Sequence, residues 1–307
     1  MKRAGKPNTI QIVYLCLLLL LLTTESNAME SYTKLDQPEV LASIFYPGKC
    51  TKTQLPGNAE DIDIEVAAGI IIGCRFFIQD KSSPNILFFH GNGEKVCDYD
   101  EIGPMYNAAG MNFLVVDYRG YGWSNGTPTV SNMLEDAEIL FQEARNWLSF
   151  NQFTGALFLM GRSLGSIPAI DLAKNHEDDI KGLILESAIA DTIPLAKNLG
   201  LDLESIEFSE EDGFRNLQKI ETVTKPTFIF HGALDELIPA AEAEKLQAHS
   251  GARTKEFVII PGAQHNTMIA VGGRLYFETI KGFINKLTGA TNWRKRRKSG
   301  KNQQETN

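Results

Sequence analysis

Few prolines, few cysteines and few histidines mark this sequence, and each scarcity narrows what it can be. Twelve prolines in 307 residues, with 43% apolar and 22% charged content, exclude disorder across the body of the chain. That apolar share is enough for one large core or two small ones. The four cysteines and five histidines show no metal-type spacing, so no metal and no cofactor is expected. No internal repeat and no long low-complexity segment is present in the body. Only one long aliphatic run occurs, IQIVYLCLLLLLL at 10–22, and it is shorter than the roughly 20 residues that span a bilayer.

That run follows Lys2, Arg3 and Lys6 and ends at TTESNA, where Ser26 and Ala28 are small. A positive start, a short apolar stretch and a small-residue exit describe a secretory signal peptide over 1–28, with export as the expected location. An uncleaved anchor is the rival reading, as is a true start at Met29 with a cytoplasmic product. Cys16 would leave with the leader. Cys50, Cys74 and Cys97 then remain, and two states stay open: one disulfide with one free thiol, or three reduced cysteines.

Charge is unevenly spread. The net −8 combines +2 on the leader and +5 on the tail 291–307, which leaves −15 on residues 29–290. A body this acidic is soluble and poorly matched to nucleic acid. The tail NWRKRRKSGKNQQETN reads either as a disordered solubilising end or as a peripheral contact with anionic lipid.

Between 62 and 287, apolar runs alternate with amphipathic stretches. The runs GIIIGCRFFI, NILFFH, NFLVVDY, ALFLMG, GLILES, TFIFHG and EFVIIPG are short and bounded by Gly, Pro or Asp. Near-continuous apolarity over four to eight residues is the pattern of strands buried on both faces of a parallel sheet. At 129–149, Met133, Leu134, Ala137, Leu140, Phe141, Ala144, Trp147 and Leu148 recur at helical spacing, with Thr129 or Ser131 as a cap. Strand–helix alternation predicts an α/β fold, a mostly parallel sheet with helices on both faces. Ligands of such sheets sit beyond the carboxyl ends of the strands.

The residues at those ends are His90-Gly91-Asn92-Gly93, Asp117 to Ser124, Gly161-Arg162-Ser163-Leu164-Gly165, His231 to Asp235, and Pro261 to His265. A lone G-x-S-x-G is weak evidence, since glycine and serine are common. Here it lies between a strand and a helix, and an acid and then a histidine follow on later strand ends. That order and context is the nucleophile-elbow pattern. On HGNGE, DYRGYGWSNG, GRSLGS, HGALDELIP and PGAQH, the chain resembles the α/β-hydrolase superfamily over about 62–287. Among its branches it is similar to small-cap serine hydrolases, the protein depalmitoylases and monoacylglycerol-lipase-like enzymes.

The chemistry gives each residue type a reason. A serine hydroxyl needs a base to take its proton, and His265 would be that base for Ser163. Asp235 would hold the imidazole tautomer. Gly161 and Gly165 would let strand and helix approach closely. An oxyanion needs two aimed donors: Leu164 N–H at the helix start is one, and the resemblance puts the other at Asn92 N–H. Each role has a structural rival. Ser163 could be a turn serine, Asp191 or Glu186 could supply the acid in place of Asp235, and His265 could be structural. His90 and His231 read as loop-bracing histidines, Asp117, Arg119 and Tyr121 as loop supports, Arg162 as an ion-pair partner under the elbow, and Ser166 as a helix-start residue.

Between Ser187 and TFIF lie about 40 residues, short and acidic with DLESIEFSEED, expected to form a cap at about 188–225. A short cap implies an open site. The resulting expectation is a serine hydrolase that cleaves carboxylic esters or thioesters of small-molecule or lipid acyl groups through an acyl-enzyme. The resemblance, not the spacing, favours medium or long acyl chains. Two alternatives stand: an aminopeptidase or amidase on the same residues, and a catalytically silent binding protein of this fold.

Overall fold

The computed structural model describes residues 32–52 and 54–289, so the expected leader and basic tail lie outside the described residues. Those residues form an eight-stranded sheet in the order β1-β2-β4-β3-β5-β6-β7-β8. The strands are β1 (Ala59–Ala67), β2 (Ile70–Phe77), β3 (Asn85–Phe89), β4 (Asn112–Val116), β5 (Leu157–Arg162), β6 (Gly182–Glu186), β7 (Thr227–Gly232) and β8 (Lys255–Ile260). From β4 to β8 all neighbours are parallel, whereas β1–β2 and β2–β4 are antiparallel.

The helices are α1 (Pro38–Ile44), α2 (Gly103–Ala108), α3 (Val130–Phe150), α4 (Ser166–Asn175), α5 (Thr192–Asn198), α6 (Asn216–Thr222), α7 (Ala240–His249), α8 (Met268–Gly272) and α9 (Arg274–Thr288). They cover both faces of the sheet, as alternation in the strands requires. Leu87, Phe89, Leu114, Val116 and Leu159 point into a core with α3, α4, α6 and α7. Their neighbours Ile86, Phe88, Phe113, Val115, Phe158 and Met160 point into a second core with α2 and α9. This period of two, with both faces buried, is why the central strands read as unbroken apolar runs.

Strand β1, AEDIDIEVA, has no such run and escapes that criterion. It is an edge strand whose Glu60, Asp63 and Glu65 face solvent while Ile64 and Val66 are buried. Charges there discourage pairing with another chain. Helix α3 carries its apolar stripe inward, and Thr129 is its cap: Thr129 Oγ1 accepts from Asn132 N at 3.1 Å while Asn132 Oδ1 accepts from Thr129 N at 2.8 Å. Such reciprocal capping satisfies two N–H groups that the helix start would leave orphaned.

The stretch 188–225 holds two different things. Helix α6 packs against α4 and α7, and Ile220 and Val223 belong to the main core. Helix α5 lies instead beside the loop after β7, where Asn198 Nδ2 donates to Leu237 O at 3.1 Å. Cys50 and Cys97 are joined in a disulfide and Cys74 is a buried free thiol, the first of the two cysteine states left open by the sequence. Among the described residues no helix is long and apolar enough to cross a membrane.

Candidate active site

Strand β5 ends at Arg162, a 3-10 turn covers Ser163–Gly165, and α4 starts at Ser166. Ser163 has φ 52°, a left-handed conformation that a non-glycine residue adopts at a cost of about 1–3 kcal/mol. The two flanking glycines make the turn sterically feasible. A Cβ on Gly161 would lie 2.2 Å from Gly165 O, and one on Gly165 would lie 2.0 Å from Phe89 O. Ser166 Oγ donates to Ser163 O at 2.6 Å and accepts from Ile189 N at 3.1 Å, which ties the helix start to the loop after β6.

Three strand ends converge on this turn. Ser163 Oγ lies 3.0 Å from His265 Nε2, and His265 Nδ1 lies 2.8 Å from Asp235 Oδ2. All three side chains are buried. Asp235 follows β7 and is fixed by its own loop: Oδ1 accepts from Ile238 N at 2.8 Å and Leu237 N at 3.1 Å. Burial pushes the Asp235 carboxyl up, but hydrogen bonds from His231 and His265, the His265 charge and the Ile238 N–H together outweigh it. The net effect holds it well below the usual carboxylate range, ionised at neutral pH. The sequence-derived pairing of Ser163, Asp235 and His265 is therefore a continuous hydrogen-bonded chain. Neither alternative acid enters it: Glu186 faces Arg162 and Tyr276, and Asp191 pairs with Lys245 at 2.7 Å.

The two residues that the sequence offers as oxyanion donors, Leu164 and Asn92, lie at the elbow and on the loop after β3. The side chain of Asn92 is pinned rather than free, since Oδ1 accepts from Tyr46 N at 2.8 Å and from Tyr121 OH at 2.7 Å.

Comparison with known proteins gives the same fold. A family model described as "Serine aminopeptidase, S33" matches residues 80–202, the part from β3 through the elbow to α5. Human alpha/beta hydrolase domain-containing protein 17B is 30% identical over 226 residues, covering 69% of this chain and 70% of that protein. The chain belongs to the α/β-hydrolase superfamily. Protein bem46 of Schizosaccharomyces pombe is 29% identical over 238 residues, 73% of this chain and 76% of its own. Among solved structures, the Pyrococcus furiosus esterase Pf2001 superimposes with a TM-score of 0.64 at 16% identity, over 78% of this chain and 98% of that one. Est1E from Butyrivibrio proteoclasticus gives 0.58 at 20% identity, over 75% and 99%.

Around this candidate site the bracing residues have visible tasks. His90 is fully buried, with Nδ1 2.8 Å from Gly91 O and Nε2 3.1 Å from Asp117 Oδ1. Asp117 Oδ1 also accepts from Val96 N at 2.9 Å, and Tyr118 OH donates to His90 O at 2.7 Å. Arg119 grips Asp136 of α3 through two hydrogen bonds of 2.7 Å. His231 Nε2 lies 2.7 Å from Ile238 O and 3.3 Å from Asp235 Oδ2, so this histidine braces the acid's loop and touches the acid itself.

Several supports have no mark of their own in the sequence. Glu94 lies inside HGNGE, yet nothing in that motif says that its carboxylate would pair with Arg162. Tyr46 reaches Asn92 from 46 residues away. Among the described residues no group of His, Cys, Asp and Glu could hold a metal ion.

Proposed function

We propose that the protein is a serine hydrolase that cleaves carboxylic esters or thioesters by way of an acyl-enzyme. One observation carries most weight: the unbroken contact from Ser163 Oγ to His265 at 3.0 Å and from His265 to Asp235 at 2.8 Å, with Ser163 on a strained turn. His265 Nε2 takes the Ser163 proton as Oγ bonds to the acyl carbon. Asp235 keeps Nδ1 protonated and stabilises the imidazolium that forms. The N–H groups of Leu164 and Asn92 receive the oxyanion. Collapse breaks the bond to the leaving group, an alkoxide or thiolate, which takes its proton from His265. Water then gives a proton to His265 and adds to the acyl carbon, and the carboxylic acid departs as Ser163 regains its proton.

Apolar acyl groups suit the rim. Leu234, next to Asp235, is 56% exposed, and Tyr46, next to Asn92, is 55% exposed. Three of the six acids in DLESIEFSEED are already engaged by neighbours, which weighs against their serving a substrate amine and so against aminopeptidase chemistry. Glu210 accepts from Ile193 N at 3.0 Å at the start of α5, Asp212 pairs with Lys34 at 2.9 Å, and Asp202 accepts from Ser205 N at 3.3 Å. A silent binding protein would have no use for a nucleophile, base and acid in contact. We infer export as the location, because a Cys50–Cys97 disulfide suits an oxidising compartment. The basic end 291–307 would add contact with anionic lipid surfaces.

Labelling by a fluorophosphonate probe tests the chemistry. The wild type should label, Ser163→Ala and His265→Ala should not, and a panel of p-nitrophenyl esters and acyl thioesters then ranks leaving groups and chain lengths. A folded wild type that fails to label would remove the serine-hydrolase assignment and bring the binding protein forward. N-terminal sequencing of secreted material tests export.

A further inference from the structure

Arg162 precedes the nucleophile, and its side chain is buried at the meeting point of three loops. One guanidinium nitrogen, Nη2, donates to His265 O at 2.6 Å and to Asn266 Oδ1 at 3.0 Å. Nη1 donates to Glu94 Oε1, and Nε faces Glu186 Oε1 at 3.3 Å. Glu94 is held in turn, since its Oε2 accepts from Gly91 N at 2.8 Å and Tyr99 OH at 2.6 Å. Glu186 Oε2 accepts from Tyr276 OH at 2.7 Å. The approach is close enough that a Cβ on Gly91 would lie 2.5 Å from Nη1.

An ion pair kept for stability alone would be a poor use of this position, because desolvation offsets most of the Coulombic gain of buried charges. The partners are more informative than the pairing. One is the main-chain carbonyl of His265, the proposed base. Another, Glu94, closes the Gly91–Glu94 loop that carries Asn92, the proposed oxyanion donor. The backbone of Arg162 itself leads into Ser163.

We propose that Arg162 is a positioning residue, a single planar fork that sets the elbow, the histidine loop and the oxyanion loop at their working separations; this rests on the serine-hydrolase reading. The planar fork matters because the donors must diverge toward a carbonyl, an amide and two carboxylates at fixed angles, which a lysine ammonium cannot do. Misplacing reacting groups by about 1 Å can cost about 10²-fold in rate.

A cleft of about 340 Å³ borders Arg162 and supplies the test. Glu94, Glu186, Tyr99 and Asn266 line it, and exposed Asp98 and Ala270 stand at its edge, so a small cation can enter beside the arginine. In the full chain, Arg162→Ala should lower kcat on an ester that the wild type cleaves by about 10²-fold, with KM changed little. Millimolar guanidinium, too dilute to denature, should restore about tenfold of that loss, while equal urea or sodium chloride should not. Arg162→Lys should recover less than guanidinium does. Circular dichroism reports the folded fraction for each sample, so a loss of folded protein is separated from a loss of rate. If Arg162→Ala does not fold, Arg162→Met combined with Glu94→Gln removes opposite charges together and carries the same kcat test.

A folded variant with wild-type kcat overturns the positioning role and leaves the serine hydrolase standing. So does a lowered kcat that guanidinium and urea raise equally. A wild type as inert as Ser163→Ala overturns both.

Discussion

A Cβ on Gly165 would stand 2.0 Å from the carbonyl oxygen of Phe89. The obstacle is backbone of the central strand β3, which cannot swing aside as a side-chain tip would. Gly165→Ala should therefore push the elbow off β3 and destabilise the fold by about 1–3 kcal/mol, the usual range for overpacking. The urea midpoint should fall, and fluorophosphonate labelling of Ser163 should slow in the fraction that remains folded. An unchanged midpoint would mean that the elbow does not press on β3.

Asp235→Asn should leave the fold intact and lower kcat by about 10⁴, as happens when the acid that orients a catalytic histidine is neutralised. Stability supplies an independent check through pH. A carboxyl with a depressed folded pKa stabilises the native state above its unfolded value of about 3.9 and loses that contribution as pH falls through the folded value. The wild type should thus be more stable than Asp235→Asn from neutrality down to about pH 4, with the gap shrinking at lower pH. Urea unfolding of both proteins across that range measures it.

Tyr121 OH donates to Asn92 Oδ1 at 2.7 Å and accepts from Tyr46 N at 2.9 Å. Removing it in Tyr121→Phe leaves Tyr46 N as the remaining donor to Asn92. The loop should loosen without collapsing, at a stability cost of about 1 kcal/mol. If Asn92 N–H serves the oxyanion, kcat should fall about tenfold, less than the 10²–10³ for outright loss of a donor, with KM little changed. Steady-state kinetics on one ester reads both.

Cys50 and Cys97 close a loop of 47 residues, tying the segment before β1 to the turn after β3. Their disulfide should contribute about 2–4 kcal/mol, so reduction should lower the urea midpoint. Cys74 is fully buried, and burial pushes its thiol pKa well up. Iodoacetamide with peptide mapping should modify Cys50 and Cys97 after reduction under native conditions, and Cys74 only after unfolding.

The sequence by itself determined the parallel sheet and singled out Ser163 at the elbow and His265 beyond the last strand as the candidate nucleophile and base. Strands buried on both faces must be apolar throughout, so β3 to β7 announce themselves, and residues at their carboxyl ends share one side of the sheet. Glycines at 161 and 165 were legible for the same local reason, since only a missing Cβ permits the elbow. What the sequence left open were choices between equivalents: Asp235 against Glu186 and Asp191, and a disulfide against free thiols. Those are decided by distance between segments far apart in the chain. Edge strand β1 escaped because its solvent face is acidic. Glu94, Asn266 and Tyr99 had no signal at all, because such a side chain gains its partner only when loops 68 and 104 residues away from Arg162 in the chain close around its buried guanidinium.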